Sequence, residues 1–473
     1  MTAASREPLV IDAELLERFG GRGPRYTSYP TADRFDERVD AQRYARALAE
    51  RADRRDESLG LYVHIPFCRS ICYYCACNKI GTKHVEQSTP YVDAVQREVS
   101  LITALTGRQP VRHLHFGGGT PTFMPDAEIG RLIDSLHASF DFADDGEYSI
   151  EVDPRTVGPQ RLRALRDMGM NRVSLGVQDF DPVVQAAVNR IQSYEQTVEL
   201  IDTARACGYR SINVDLIYGL PKQNPERFRE TLRKTIAAAP DRIALYHYAH
   251  LPALFKPQRR IAEADLPSSE DKARMFETAV GMFESAGYLH LGLDHFARED
   301  DELAIAQREG RLHRNFQGYC SHDAGDLIAL GVSGISSVGD VYAQNDKVLD
   351  GYYRRIERDE LPVVRGIALD ADDFVRRDAI QSLMCDFALD WDALDARCGI
   401  DSRTWLVDSR AALAPLVEAG AVRVDERGVE VLPRGRLLVR AVAMAFDRHL
   451  AEQAARAASG TDTTGGASYS RIA

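Results

Sequence analysis

The stretch that decides the fold is LGLYVHIPFCRSICYYCACNKI, residues 59–80. It begins as an apolar strand and then places four of the eight cysteines within ten residues, at Cys68, Cys72, Cys75 and Cys77. Thiolates bind iron–sulfur clusters, and this spacing lets one short segment reach several corners of an iron–sulfur cube. Because the first three cysteines would leave the fourth iron open, the stretch predicts a cluster with one free iron.

Spacing alone leaves other uses of these thiols open. Zinc could take four thiolates, although structural zinc sites usually pair two separated Cys-x-x-Cys knuckles. Cys77 could complete a fully ligated electron-transfer cluster, or the residues could be free thiols. A disulfide framework is disfavoured, because such frameworks spread their cysteines through small secreted chains. The open cluster is therefore the favoured interpretation.

Six strand-like segments alternate with helical patterns between Leu59 and about Ala249. The strands read LGLYVHI, VRHLHF, EYSIEV, NRVSLGV, SINVDLI and RIALYHY. Successive strand–helix units imply a parallel sheet with helices outside it, either an open barrel or a doubly wound sheet. The predicted fold class is α/β, with a partial barrel made of six such units.

Glycine and polar residues stand at the predicted carboxyl ends of these strands. Residues 117–120 follow the second strand, Glu151 ends the third, Gln178 ends the fourth and Asp215 lies in the fifth. Ligands bind at the carboxyl ends of the strands in α/β barrels, and glycine lets the backbone approach a ligand closely. We therefore expect these residues to surround the cysteine loop.

The remaining segments suggest four parts of the chain. We expect an N-terminal helical arm at residues 1–55, a catalytic barrel with its extension at 56–350, a smaller, mainly helical domain at 365–455 and a disordered tail at 456–473. In the smaller domain, two helical patterns precede a hairpin that turns at Glu426–Gly428, and a final helix runs over about 436–455. This order is typical of a winged helix, and we favour a packing or lid role over DNA binding.

Charge and hydropathy narrow the range of partners. The 473 residues include 71 acidic and 59 basic side chains, a net charge of −12. Electrostatic nucleic-acid binders usually have the opposite balance, so we expect no nucleic-acid partner. No run of about 18 apolar residues is present, so no membrane-spanning helix is expected. The first residues lack the basic and apolar segments of a secretory signal, which predicts a cytoplasmic location.

The combined motifs resemble those of a known family. The cysteine motif is similar to that of the radical S-adenosylmethionine (SAM) superfamily, and the whole set resembles the oxygen-independent coproporphyrinogen III oxidases, also called coproporphyrinogen dehydrogenases. The motifs are RYTSYPT, YVHIPFC, CxxxCxxCxCNK, HFGGGTPT, IEVDPR, LGVQDF, VNRIQ, VDLIYGLP, HRNFQGY, GVSGIS and VYAQN, within roughly residues 25–444. Ala76 stands where the family more often has glycine, and Tyr74 where it often has phenylalanine.

The resemblance implies a set of cofactor-binding residues. Cys68, Cys72 and Cys75 would bind one [4Fe-4S] cluster, and Cys77 would not. Two SAM molecules are implied: the first would contact Tyr62, Gly118, Glu151 and Ile335, and the second Tyr74, Gly119, Thr120, Gln178, Arg190, Asp215 and Ala249. Tyr62 and Glu151 would also serve catalysis. Carboxylates suit ribose hydroxyls and amino groups, and aromatic rings suit a sulfonium or an adenine.

The resemblance also implies a reaction in heme biosynthesis. Two propionates of coproporphyrinogen III would become vinyl groups, giving protoporphyrinogen IX, and each step would cleave one SAM to methionine and a 5′-deoxyadenosyl radical. The implied partners are this tetrapyrrole and a reductase, flavodoxin or ferredoxin as electron donor, and we expect a monomer. Because the substrate carries four carboxylates, we hypothesise that Arg25, Arg311 and Arg314 hold them.

Three other functions compete with this reaction. A heme-binding chaperone of the same superfamily branch would bind heme without decarboxylating it, but such relatives generally lack the Cys77-Asn78-Lys79 and RYTSYPT motifs that this chain has. A redox protein would use Cys77 as a fourth cluster ligand. A regulator would place the winged-helix-like end on DNA, which the acidic chain disfavours.

Overall fold

The structure is a computed structural model that describes residues 9–323, 325–458 and 469. Their contacts divide them into two compact units. The sheet unit comprises residues 36–286 and 325–368, and the mixed unit comprises residues 9–35, 287–323, 369–458 and 469. Each unit is therefore assembled from segments that are distant in the sequence.

The strands are numbered in chain order. They are β1 (Leu59–Ile65), β2 (Phe67–Cys68), β3 (Ile80–Gly81), β4 (Pro110–Gly118), β5 (Asp141–Val152), β6 (Arg172–Gln178), β7 (Ser211–Tyr218), β8 (Arg242–His247), β9 (Tyr288–Gly292), β10 (His295–Arg298), β11 (His313–Asn315), β12 (Gly318–Cys320), β13 (Asp326–Leu330), β14 (Ile335–Val338), β15 (Val341–Asn345), β16 (Val363–Ala368), β17 (Ala388–Asp390), β18 (Val422–Val424) and β19 (Gly428–Val431).

The α-helices are numbered in the same way. They are α1 (Ala13–Phe19), α2 (Ala41–Arg51), α3 (Ser88–Thr106), α4 (Asp126–Ser139), α5 (Pro159–Asp167), α6 (Pro182–Ala187), α7 (Tyr194–Ala206), α8 (Pro225–Ala238), α9 (Ser269–Ser285), α10 (Glu302–Arg308), α11 (Leu349–Glu357), α12 (Ala371–Asp386), α13 (Trp391–Cys398), α14 (Ser402–Trp405), α15 (Val407–Ala412), α16 (Ala414–Glu418), α17 (Val439–Met444) and α18 (Arg448–Ala458). Among the described helices, none is both long and apolar enough to span a bilayer.

The large sheet of the sheet unit has the strand order β16-β15-β14-β13-β1-β4-β5-β6-β7-β8. The six strands predicted from the sequence, β1 and β4 to β8, run parallel to one another. β13 adds to them in parallel, and β14 to β16 continue as an antiparallel meander. Within the described part of this unit, no pairing joins β16 to β8. The sheet is open, and the predicted partial α/β barrel is confirmed.

The two faces of the parallel strands differ in polarity. Successive side chains of a strand point to opposite faces, and on one face residues such as Leu61, Ile150 and Leu175 are fully buried. The other face carries polar side chains that are only half-buried, among them Glu151 and Asp215. A sheet that is apolar on one face and polar on the other offers the polar face to a ligand.

The mixed unit forms around its own apolar core. Trp391 is fully buried there, and Leu15 and Tyr26 of the N-terminal segment belong to the same cluster. Strands β17, β19 and β18 make a small sheet, and α13 to α16 lie between β17 and β18 in the chain. The β18–β19 hairpin closes at Asp425, whose carboxylate accepts a hydrogen bond from Arg427 N at 2.8 Å. The winged-helix-like, mainly helical character predicted for this part is confirmed.

Two helices, α17 and α18, replace the single final helix expected from the sequence. Asp447 lies between them, and its carboxylate accepts hydrogen bonds from Leu450 N and from Tyr26 Oη, both at 3.0 Å. A carboxylate that binds a backbone N–H of the first turn starts a new helix and so interrupts the preceding one. The partner Tyr26 is more than four hundred residues away in the chain, so the periodicity of the segment could not show the break.

Candidate active site

The cysteine loop follows β1 at the carboxyl end of the parallel strands. Its two ends are joined, because β2 pairs in parallel with β3 and Ile80 N donates a hydrogen bond to Pro66 O at 2.7 Å. Its middle is held by Tyr73 N, which donates to Val188 O at 3.0 Å. Backbone hydrogen bonds therefore hold the loop at both ends and at its centre.

Two of the predicted cluster ligands are buried, and guanidinium groups lie beside one of them. Cys68 and Cys72 are both buried, and burial raises the pKa of Cys68 to about 11. Arg190 Nη1 lies 3.4 Å from Cys72 Sγ and Arg155 Nη2 lies 3.5 Å from it. A bound metal deprotonates a coordinating thiol outright. Thiols of one short loop beside two guanidinium groups are a donor set that fits an iron–sulfur cluster.

Cys75 and Cys77 form a hydrogen-bonded pair at the far side of the loop. This bond lowers the pKa of Cys75 to about 6 and raises the pKa of Cys77. Lys79 Nζ donates to Cys75 O at 2.8 Å and to Cys77 O at 3.1 Å, which holds this turn closed. Cys77 is exposed, whereas Cys68 and Cys72 are buried. The assignment of Cys75, and not Cys77, as the third ligand stays a prediction.

Two glycines bring the end of β4 against this loop. Gly118 has a φ of +111°, and a Cβ there would lie 2.6 Å from the His64 ring. A Cβ on Gly119 would lie 2.6 Å from Pro66 O. Only glycine fits both the positive φ and these close approaches. The close approach expected of these glycines is therefore seen between the end of β4 and the chain that leads into the cysteine loop.

Glu151 and Tyr62 meet on the polar face of the sheet. The Glu151 carboxylate accepts a hydrogen bond from Gly118 N at 3.2 Å and lies 3.2 Å from His115 Nε2. The Tyr62 ring stacks on His115, with ring centroids 5.8 Å apart and planes 14° from parallel. His115 therefore connects the two predicted catalytic side chains, which belong to β1 and β5 on either side of β4.

Asp215 is held by neighbours on the same face. Ser174 Oγ donates to its carboxylate at 3.0 Å and Asn213 Nδ2 donates at 2.8 Å. Burial, with the charge of Glu151 as the next cause, raises the pKa of Asp215 to about 6. Gln178, at the end of the adjoining strand β6, has a φ of +68°, in the left-handed region. The carboxylate is well oriented and still available to a further hydrogen-bond donor.

The other predicted residues lie at several places in the sheet unit. Gln258 Nε2 donates to Tyr74 O at 2.9 Å and to Ala249 O at 3.2 Å, which joins two of the predicted SAM contacts. Thr120 Oγ1 lies 3.4 Å from Cys68 Sγ. Ile335 begins β14, beyond β13 on the opposite side of β1 from β4. The structure gives these positions, and the role of each residue stays a prediction.

Sequence reasoning missed the residues that hold the predicted ones in place. Asp153 accepts a hydrogen bond from Arg155 Nη2 at 2.6 Å and forms an ion pair with Arg190 at 3.3 Å. His115 has the corresponding role for Glu151 and Tyr62. Asp153 and Arg155 are part of the IEVDPR motif and His115 begins the HFGGGTPT motif, so these residues lay within motifs already quoted.

An open parallel sheet with a cysteine-rich loop at its carboxyl edge is typical of the radical SAM class, and the Radical SAM superfamily matches residues 62–235. The HemN C-terminal domain matches residues 369–438. The oxygen-independent coproporphyrinogen III oxidase of Escherichia coli K12 is 46% identical to this chain, over 94% of it and 96% of the relative. The chain belongs to the family of oxygen-independent coproporphyrinogen III oxidases.

Two further comparisons agree with this family. The enzyme of the same name from Pseudomonas aeruginosa is 46% identical over 93% of this chain and 96% of its own length. A solved structure of coproporphyrinogen III oxidase (HemN) from Escherichia coli, described as a radical SAM enzyme, has a TM-score of 0.89 at 45% identity. That alignment covers 94% of this chain and 100% of the solved chain, so the likeness includes both units.

Proposed function

We propose that this protein decarboxylates two propionates of coproporphyrinogen III to vinyl groups, giving protoporphyrinogen IX without oxygen. The observation that carries the proposal is near-full-length identity of 46% to an oxygen-independent coproporphyrinogen III oxidase, in a chain that keeps the cysteine loop and the polar sheet face. A heme chaperone of the same branch is not supported by these relatives. The reaction belongs to heme biosynthesis.

The proposed cofactors are one [4Fe-4S] cluster on Cys68, Cys72 and Cys75, and two molecules of SAM. When bound, the cluster and SAM together supply one-electron chemistry that can take a hydrogen atom from an unactivated carbon. The family resemblance assigns one group of contacts to each SAM. One group is centred on Glu151, and the other comprises Asp215 and the Gln258-linked Tyr74 and Ala249.

Side chains of the polar face have the binding and orienting roles. Glu151 offers its carboxylate to an amino group or a ribose hydroxyl, and His115 fixes the orientation of that carboxylate. Arg190, held by Asp153, places positive charge beside Cys72 and offsets negative charge on a metal-bound thiolate. Abstraction of a hydrogen atom needs positioning rather than a general base, which agrees with a site of oriented hydrogen bonds.

An external electron donor is part of the proposal. Arg69, Arg259 and Arg260 are exposed around the cysteine loop, and Arg260 stacks on Tyr73 with 5.2 Å between Cζ and the ring centroid. None of the described acidic residues forms an ion pair with these arginines. In a chain of net charge −12, this local positive charge suits an acidic flavodoxin- or ferredoxin-type donor. We place the reaction in the cytoplasm, carried out by a monomer.

An anaerobic assay tests the proposed function. Cluster-loaded protein with SAM, a reductant, a one-electron acceptor and coproporphyrinogen III should form protoporphyrinogen IX, with two SAM cleaved, two carbon dioxide released and two electrons passed to the acceptor per product. Protein without the cluster is the control. Tight binding of heme with no carbon dioxide release would instead indicate the chaperone, and a cluster spectrum that ignores SAM would indicate the redox protein.

A further inference from the structure

The mixed unit contains a hairpin on which several hydrogen-bond donors lack acceptors. Strands β11 and β12 pair in an antiparallel hairpin that places Arg314 opposite Tyr319. Arg314 is 4% exposed, and its Nε and Nη1 have no hydrogen-bond partner; Gln317 Nε2, at the turn of the same hairpin, has none either. Three N–H-bearing atoms on one hairpin therefore face no acceptor among the described residues, although burying unpaired donors is unfavourable.

Neighbouring groups hold the Arg314 side chain in a definite place. Its Cζ lies 4.7 Å from the centroid of the Tyr319 ring, and Tyr319 Oη donates to Met384 O at 2.8 Å. The His295 ring meets the Tyr319 ring edge-on, with centroids 5.1 Å apart. A guanidinium fixed by stacking leaves its N–H groups available in the plane of the fork, where a carboxylate binds.

The nearby acid does not neutralise this cluster. Asp294 lies near Arg314 but already pairs with Arg25 and with His295 Nδ1, the latter at 2.8 Å. Burial alone would raise the pKa of Asp294, yet Arg25 and His295 together hold it well below its usual range. Arg440, also buried nearby, is bonded to backbone oxygens, with Nε 2.8 Å from Pro24 O. The charges of Arg25, Arg314 and Arg440 thus all act on the one Asp294 carboxylate.

We infer that Arg314 and Gln317 bind a carboxylate of the tetrapyrrole substrate. Donors without acceptors select an acceptor-only group, and a guanidinium fork selects an anion such as a carboxylate, so a propionate fits both conditions. This inference rests on the proposed function, because that function supplies the carboxylates. Arg311, in the same segment, is not equivalent: it is exposed, pairs with Glu309 and donates from Nη1 to Ser321 O at 3.0 Å.

Equilibrium binding to two matched porphyrins tests the inference. The probes are coproporphyrin III, with four carboxylates, and its neutral tetraamide, each titrated anaerobically into full-length, cluster-loaded protein. Arg314→Met should raise the dissociation constant of coproporphyrin III at least tenfold and leave that of the tetraamide unchanged. Arg314→Lys, which keeps the charge and loses the fork, should fall between, and Arg298→Met, at an exposed position of the same unit, should bind both probes as the unaltered protein does.

Each outcome has a defined meaning. Unchanged affinity of Arg314→Met for coproporphyrin III, or equal losses for the acid and the amide, overturns the inference. Should Arg314→Met fail to fold by circular dichroism, Arg314→Lys takes its place. Unchanged affinity of Arg314→Lys for coproporphyrin III, or equal losses for the acid and the amide, then overturns the inference. If the unaltered protein releases carbon dioxide and Arg314→Met binds normally, only this inference fails. If the unaltered protein neither binds coproporphyrin III nor decarboxylates its reduced form, the proposed function fails instead.

Discussion

At the scale of single residues, the motifs showed which side chains stand at strand ends but not what holds them. Glu151 and Asp215 could be named because each occupies the carboxyl half of a strand-like segment. The contacts of His115 and Asp153 could not, because they depend on which residues of neighbouring strands lie opposite one another. The register of parallel strands is set by packing of the whole sheet, which no local pattern contains.

Glu151→Gln should weaken SAM binding about tenfold, since a hydrogen bond to a charged group contributes about 1.5–3 kcal/mol. The change keeps the shape and the acceptor for Gly118 N but removes the charge. Equilibrium dialysis of labelled SAM against cluster-loaded protein measures the effect. Asp144→Asn, an exposed position on the same strand, is the matched control. Equal affinity of the two variants would remove Glu151 from the SAM site.

Glu98 predicts a pH dependence of stability. It is buried and accepts hydrogen bonds from Tyr352 Oη at 2.7 Å, Gly331 N at 2.8 Å and Asn345 Nδ2 at 2.7 Å. Burial raises its pKa from 4.5 to about 7. The folded protein therefore holds a proton that the unfolded chain releases, so the contribution of Glu98 is full below pH 4.5 and is lost as the pH rises to about 7.

Urea unfolding of metal-free protein between pH 5 and about 8 measures whether the unfolding free energy falls as the pH rises. Glu98→Gln should flatten the decline of the unfolding free energy with pH. It should also lower that free energy at pH 5 by about 1–3 kcal/mol, because an amide N–H would face one of the three donors. Glu360→Gln, at an exposed position, should behave as the unaltered protein. If the unfolding free energies of all three proteins changed with pH in parallel, the pH dependence could not be assigned to Glu98.

At the scale of elements, the six parallel strands were predictable because their apolar runs alternate with helical patterns. The antiparallel meander of β14 to β16 was not, since a glycine-rich apolar run is compatible with several structures. The break between α17 and α18 depends on Asp447 and a distant tyrosine. Elements with strong periodicity were thus recognisable, and those shaped by contacts across the chain were not.

The cysteine loop gives a test at the same scale. Cys72→Ala should lose iron, because it removes a sulfur that two guanidinium groups face. Cys77→Ser should keep iron, because an open iron needs only three thiolates. Iron content and the change in the electron paramagnetic resonance spectrum on adding SAM measure the two effects. Loss of iron in Cys77→Ser would favour a fully ligated redox cluster.

At the scale of the whole molecule, the linear division of the chain into four parts stays a prediction, and the compact units follow a different order. The mixed unit combines residues 9–35 and 287–323 with 369–458. Such interleaving arises because apolar surfaces far apart in sequence bury one another. Composition and local motifs describe neighbours along the chain, so they do not show which distant segments share a core.

A truncation tests this shared core. Leu15, Tyr26 and Tyr29 pack in the cluster that contains Trp391 and Leu438. Removing residues 369–473 should therefore expose the N-terminal segment, and trypsin should cleave it within minutes under conditions where the full chain resists. A chain ending at residue 458 keeps the cluster and should resist trypsin as the full chain does. Equal resistance of both truncated chains would show that the segment folds without this core.

The pairing of β2 with β3 has a consequence for how the protein regains its metal. A mobile segment that must gather its ligands around iron loses conformational entropy when it closes. Here the two ends already meet through backbone hydrogen bonds, so most of that ordering precedes the arrival of iron. Protein stripped of its cluster by air should therefore rebuild it repeatedly, because backbone hydrogen bonds hold the two ends of the loop together when the cluster is absent.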